Sequence, residues 1–256
     1  MSALDLDYDA LRHYADKNIP GLLFVTVRGA HLYGFPSSDS DVDLRGSFAA
    51  PLANVLGLDA PRETLETAGI IGGGEVEMVG HEIAKHLRLL VKPNGYVLEQ
   101  ILSPLVVRTL PVHKEPAALA RVGLSKKLYH YYAGFARGEW RDYQKVGVGK
   151  TIKRLLYLHR VLMTGIVLMT EGVTEANLHR LNERFGLGLD PLLAMKTREQ
   201  ADVEGDDAAF TQAVGGLFGR LDEARESSPL PEDVPNRAAL NEFIIRLRLF
   251  GVGQRS

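Results

Sequence analysis

Two aspartates one residue apart, Asp41 and Asp43, carry the most pointed chemistry in this sequence. They lie in Arg28-Gly-Ala-His-Leu-Tyr-Gly-Phe-Pro-Ser-Ser-Asp-Ser-Asp-Val-Asp-Leu-Arg-Gly46. Side chains alternate between the faces of a strand, so the two carboxylates share one face, about 6–7 Å apart at their Cα atoms. Val42 and Leu44 then turn toward the core. Paired carboxylates repel each other and resist ionising together, unless they share hard cations, which take oxygen ligands. A lone Asp-x-Asp is more often a solvated turn running into an amphipathic strand. The order of what precedes this pair favours a metal site.

That order is set by the flanking elements. Gly21 to Val27 is an apolar, β-branched run that reads as a buried strand. Gly29 breaks it, a short helical turn follows from Ala30 to Tyr33, and Gly34 and Pro36 end the turn. The chain becomes extended again at Asp41 and runs to Ala50, where Pro51 closes the strand. Residues 52 to 62 are a connector. Glu63 to Ile71 and Glu75 to Val79 read as two strands joined by the Gly72-Gly73-Gly74 hairpin loop. On the second strand Glu75 and Glu77 share a face. His81 to Val91 has helical periodicity, with Ile83, Ala84, Leu87, Leu90 and Val91 as its apolar stripe. His81, Lys85, Arg88 and Lys92 fall on the opposite face, either as a solvated surface or as a basic wall beside the metals. Lys92-Pro-Asn-Gly95 ends that helix, and Tyr96 to Leu102 is a further short element.

From about residue 114 the pattern is helical throughout. The predicted helices are 115–122, 125–138, 141–171, 174–185, 190–200, 206–226 and 236–249, after an N-terminal helix at 5–17. Residues 227 to 235 form a Pro-rich connector. Within 141–171, Ile152, Leu155, Leu156, His159, Leu162, Met163 and Ile166 make one apolar stripe, in which His159 reads as a core histidine. Lys150, Lys153, Arg154, Tyr157 and Arg160 gather on the other side with no acid among them. Like charges at such spacings repel, which predicts an anionic partner. Gly147-Val-Gly-Lys-Thr151 suggests a phosphate-binding P-loop but fails its spacing and follows no buried strand.

The chain has 256 residues, 45% hydrophobic and 24% charged, which is enough for one large domain or two modest ones. It has no cysteine, so neither disulfides nor a thiolate zinc site are available. Its formal net charge of −2 argues against a non-specific coat on nucleic acid, although not against a local basic groove. The acidic start from Met1 to Asp9 lacks a secretory signature. The longest uncharged apolar run, Val161 to Thr170, is too short to span a membrane. These features predict a cytoplasmic location.

The segment around Asp41 resembles the signature of the DNA polymerase β-like nucleotidyltransferases: a strand, Gly-Ser, a short helix, then Ser-Asp-x-Asp. Gly29, Ser40, Asp41, Val42 and Asp43 match, while Ala30 stands where the family has Ser. Beyond it, Val79-Gly-His-Glu82, Leu89-Leu-Val-Lys-Pro-Asn-Gly-Tyr-Val-Leu-Glu99 and Lys150 to Gly165 are similar to the YcgL-type branch, which is often encoded beside RNA ligases and other RNA-repair enzymes. The resemblance implies an α+β fold, with a mixed-sheet nucleotidyltransferase domain at 1–112, an all-α nucleotide- and substrate-binding domain at 113–256, and the active site in the cleft between them. It also implies a third carboxylate on a later strand. Glu77, between Val76 and Met78, fits best, and Glu75 is the alternative.

The implied chemistry uses two Mg2+ or Mn2+ ions held by Asp41, Asp43 and Glu77, about 3.5–4 Å apart. A hydroxyl attacks the α-phosphorus of an NTP and pyrophosphate leaves. Gly29 and Ala30, at a helix N-terminus, together with Ser40, Lys150, Lys153 and Tyr157, contact the nucleotide, with Ser125 and Lys126 as weaker contacts. Arg154, Arg160, Lys85 and Arg88 are the RNA-binding candidates. The acceptor is expected to be an RNA end, in RNA repair or tRNA maturation, with an RNA ligase as a partner enzyme. The alternatives are nucleotidylation of a protein or small molecule, and a catalytically weak nucleotide- or RNA-binding module, which the substitution at Ala30 suggests.

Overall fold

Alternating apolar residues and glycine turns fold the first part of the chain into a five-stranded sheet. The structure is a computed structural model that describes residues 6–37, 40–145, 150–197, 207–234 and 236–251. The strands are β1 (Leu22–Arg28), β2 (Val42–Phe48), β3 (Thr64–Ile71), β4 (Gly74–Glu82) and β5 (Val106–Thr109). Their order is β3-β4-β2-β1-β5. β2 and β4 run parallel, and the other neighbouring pairs are antiparallel, so the sheet is mixed. Gly72 and Gly73, both at positive φ (58° and 86°), turn the β3–β4 hairpin; glycine tolerates that region without a Cβ penalty.

One face of the sheet is apolar. Val25, Val27, Leu44, Val76, Met78 and Val107 pack there against Leu11, Ala15 and Ile19 at α1 (Tyr8–Asn18) and its C-terminal end. The other face carries Thr26, Arg28, Asp43, Arg45 and Glu77. It is partly covered by α4 (Ile83–Val91) and α5 (Gly95–Ile101). Thr26 donates to the Gln100 carbonyl at 3.2 Å, and Phe24 meets the His86 ring edge-on at 5.3 Å. Asn94 caps α5 by accepting from the backbone N–H groups of Tyr96 and Val97.

The chain falls into two compact units. The sheet unit takes in the chain up to Leu32, resumes through Gly123 and takes back the chain from Val234. The helical unit is Leu124–Asp233 with the short stretch from Tyr33. The 112/113 line drawn from the sequence falls in a 3-10 turn, Pro111–His113, inside the sheet unit. That unit also holds α6 (Lys114–Val122) and α12 (Arg237–Phe250). Arg248 of α12 pairs at 3.1 Å with Glu82, which itself caps α4. Arg246 pairs with Glu115.

The helical unit is built on α8 (Ile152–Glu171). Thr151 caps it by accepting from the Arg154 N–H, and Gly172 closes it at φ 67°. Every residue of the apolar stripe read from the sequence is buried. So are Leu158, Val161, Val167, Leu168 and Met169, so beyond its first turns α8 is buried nearly all round, as a central helix must be. α7 (Leu128–Tyr143) and α11 (Asp207–Glu226) pack along it, with α9 (Leu178–Phe185) and α10 (Asp190–Thr197) beside them. Among the described residues no helix is long and apolar enough to cross a membrane.

Several elements differ from expectation. The helix predicted at 141–171 is two: α7 runs on to Tyr143 and α8 starts at Ile152. Residues 146–149, with the rejected P-loop glycines Gly147 and Gly149, lie outside the described residues, as do 198–200 and the first residues of the helices predicted at 5–17 and 206–226. The helix predicted from His81 starts at Ile83, because the β4 ladder with β2 continues to the Phe48–Glu82 pair. The connector at 52–62 contains α3 (Leu52–Leu56), and β5 was not anticipated.

Candidate active site

At the end of β1 the backbone turns through Gly29, and this turn shapes the site. Its φ is 68°, and a Cβ built there lies 2.2 Å from Asp43 Oδ2. Both the left-handed backbone and the packed carboxylate require glycine. The helical turn expected at Ala30–Tyr33 is α2 (Gly29–Tyr33).

Asp43 sits on β2 opposite Arg28 of β1 and, on its other side, in register with Glu77 of β4. Side chains opposite each other on neighbouring strands project to the same face. Asp43 and Glu77 are therefore neighbours on the polar face, while Leu44, Val76 and Met78 are buried on the other. Asp41 is exposed just ahead of β2, and Glu75 is exposed two residues before Glu77 on the same face. Asp43 and Glu77 on adjacent strands, with Asp41 just ahead of β2, are hard oxygen donors of the kind Mg2+ or Mn2+ takes. Asp43 Oδ2 itself occupies the space that a side chain at position 29 would take, and it is the oxygen chemistry of the donors that fits a divalent cation. Among the described residues, no three His, Asp or Glu already converge as a metal site.

Asp43 is not isolated. Arg45, two residues along the same strand face, donates to Asp43 Oδ1 at 3.0 Å. It also donates to the Tyr96 hydroxyl at 3.0 Å and to the Leu44 carbonyl at 2.9 Å. The Arg28 guanidinium lies 3.4 Å over the Tyr96 ring. Burial opposes the charge on Arg45, but Tyr96, Asp43 and Glu77 outweigh it and hold its pKa above the ordinary value. His31 is buried in α2. Burial lowers its pKa, against a backbone hydrogen bond at Ser40 and the charges of Asp43 and Asp41. Arg45, Tyr96 and His31 were not singled out from the sequence. Arg45 was legible there, since period-two alternation puts it on the Asp43 face.

The remaining candidates are less uniform than expected. Ala30 is partly exposed in α2, and Ser40 is partly exposed just before Asp41. Lys85 donates to Thr64 and Arg88 pairs with Glu63, so both are engaged by β3 and the residue before it. His81 belongs to β4 rather than to the helix face and meets Thr64 Oγ1 at 3.2 Å. In the helical unit, Ser125 is buried and Lys126 pairs with Glu232 at 2.9 Å. Lys150 and Lys153 are exposed, and Tyr157 is half-buried against Tyr33 and Phe35.

The cationic face carries no acid of its own, but the neighbouring helix supplies two: Glu139 and Asp142 of α7 each lie 3.7 Å from Arg154. Arg160 does not reach solvent. It is 3% exposed, with its guanidinium 3.8 Å over the Tyr33 ring, because α8 is buried on this side as well. Its guanidinium packs inside the helical unit instead of lying on an open face.

Comparison with other proteins agrees with the signature. The uncharacterized protein MJ0002 of Methanocaldococcus jannaschii is 32% identical over 154 residues, 59% of this chain and 61% of that protein. The chain thus spans less than two thirds of that relative. The uncharacterized protein YcgL of Bacillus subtilis is 26% identical over 221 residues, 79% of this chain and 80% of its own length. A nucleotidyltransferase-like protein from Exiguobacterium sibiricum superposes over 94% of this chain and 79% of its own, at 9% identity and a TM-score of 0.33, a likeness too loose to bear on the fold. Residues 5–246 match a family model throughout. By that match, the chain belongs to RlaP, the RNA repair pathway DNA polymerase beta family.

Proposed function

We propose that this protein transfers a nucleoside monophosphate from an NTP to a hydroxyl at an RNA end. The observation that supports this most is the in-register pairing of Asp43 with Glu77 beside a left-handed Gly29. Asp41, Asp43 and Glu77 would hold two divalent ions. When bound, such ions offset charge on the leaving pyrophosphate and lower the pKa of the attacking hydroxyl. The hydroxyl oxygen forms a bond to the α-phosphorus and the bond to the bridging oxygen of the β-phosphate breaks. Pyrophosphate departs and the hydroxyl proton passes to solvent. Gly29 lets phosphate approach the backbone closely, and Ala30 contributes only its N–H. Lys150 and Lys153 are the exposed anion contacts of the helical unit. Membership of an RNA-repair family supports RNA as acceptor.

One observation favours a second reading, in which the acceptor is a protein or small molecule. Arg154 lies beside Glu139 and Asp142, and Arg160 is buried, which weakens the match of this helix to a strand of RNA. The test is incubation with each α-labelled NTP, Mg2+ and a mixture of RNA and protein acceptors. Label is expected in RNA and is expected to vanish with Asp43→Asn. Label on protein instead replaces RNA as the acceptor. No label on any acceptor, with every NTP, overturns the transferase reading.

A further inference from the structure

Asp43 is held by a brace that reaches it from a different element. Arg45 makes three separate hydrogen bonds, to Asp43 Oδ1, the Leu44 carbonyl and the Tyr96 hydroxyl. A guanidinium is a planar fork whose donors point in fixed directions, so three acceptors at 2.9–3.0 Å leave it one orientation. Tyr96 is fixed in turn. It sits in the first turn of α5, where Asn94 caps its backbone N–H, and Arg28 covers its ring at 3.4 Å. Arg28 is also the cross-strand partner of Asp43. The chain of contacts from α5 to β2 therefore ends on one carboxylate oxygen, between an Arg45 side chain 13% exposed and an Asp43 side chain 27% exposed.

We infer that Arg45, tethered by Tyr96, is a positioning residue that presets the Asp43 carboxylate for a divalent cation. This rests on the reading of Asp43 as a cation ligand. A ligand whose rotamer is already fixed loses less freedom when the ion arrives, and outer-shell partners of this kind typically change metal affinity by 10–100-fold when removed. The opposite role is physically distinct. If Arg45 were only a counter-charge, it would compete with the cation, and weakening its hold on Asp43 would tighten metal binding.

The two roles separate in a Mn2+ titration of the purified protein, read as loss of the free-ion signal in electron paramagnetic resonance. Tyr96→Phe removes one oxygen and keeps the ring beneath Arg28. Arg45→Lys keeps the charge and loses the fork. Both are expected to weaken Mn2+ binding about tenfold, with melting temperatures close to wild type. The apparent Mg2+ requirement of transfer is expected to rise in both, more than kcat at saturating Mg2+ falls. Unchanged or tighter Mn2+ binding in both variants overturns the positioning role while leaving Asp43 as ligand. Asp43→Asn binding Mn2+ as well as wild type shows instead that Asp43 holds no cation, and the inference falls with that reading.

Discussion

At position 29 a single methyl group is expected to decide whether the site forms. Gly29→Ala pushes a Cβ to within 2.2 Å of Asp43 Oδ2 on a backbone at φ 68°. It is expected to cost at least about 1 kcal/mol from the left-handed backbone alone, read as a lower urea midpoint, together with loss of nucleotide transfer. The acid question is also local. Glu77 is level with Asp43, and Glu75 is one strand repeat away. Glu77→Gln is expected to lower transfer at least about a hundredfold, as loss of a group acting in the transition state does, with little change in melting temperature. Inactive Glu75→Gln beside active Glu77→Gln reverses the assignment. Alternation made it legible that Glu75 and Glu77 share a face, and the resemblance pointed to Glu77; the parallel register that sets Glu77 level with Asp43 was not legible, because β3 lies between β2 and β4 in the chain. The tie from Arg45 to Tyr96 was not legible either, because it joins residues 51 positions apart. Arg160 misled for a related reason: a helical-wheel count separates cations from aliphatics but does not show an aromatic ring waiting above the cation.

Among the elements, α8 depends on close approach. A Cβ on Gly165 meets Tyr132 Cβ at 2.9 Å and Leu221 Cδ1 at 3.1 Å, where α7 and α11 cross it. In an exposed helix, Gly→Ala stabilises by about 1 kcal/mol. Here the sign reverses, because the Tyr132 contact is at the root of the side chain and cannot swing away. Gly165→Ala is expected to lower the melting temperature, and a higher value would show that the helices separate at no cost. The apolar stripe of α8 was readable from its period. The break between Tyr143 and Ile152 was not taken from the sequence, although Thr151 before an apolar run is an N-cap signal. β5 has four residues and α3 five, too few for either period to stand out from irregular chain.

Across the whole molecule, buried histidines govern the response to acid. His86 is fully buried beneath Phe24, with neither ring nitrogen hydrogen-bonded, and burial pushes its pKa down to about 3; nearby His81 and His113 add to the effect. His113, also lowered mainly by burial, lies at about 4. In the unfolded chain both return to about 6.5. Between these values the unfolded state binds protons that the folded state refuses. Stability is thus complete above about pH 6.5 and is lost as pH falls toward 4. His86→Leu is expected to recover on the order of 2 kcal/mol of the difference between urea unfolding at pH 7 and pH 4.5. An unaltered acid limb would exclude His86 as its source. With a net charge of −2, the RNA contact proposed above would have to be local. If Lys150 and Lys153 each neutralise one phosphate of a single strand, the log–log salt slope is near −1.4, and Lys153→Ala is expected to flatten it by about 0.7. A slope unmoved by that substitution removes Lys153 from the interface. Helical periodicity in 114–122 and 237–250 does not reveal which core those helices join, so the return of α12 to the sheet unit was not legible either. That return has a consequence for synthesis. Residues 237–250 emerge from the ribosome after the helical unit is made, yet Arg248 supplies the partner of Glu82, a carboxylate 2% exposed in the finished fold. Arg248 therefore reaches Glu82 only after the rest of the chain has been made, and a ribosome stalled before residue 237 holds a sheet unit that lacks the guanidinium paired with Glu82 in the finished fold.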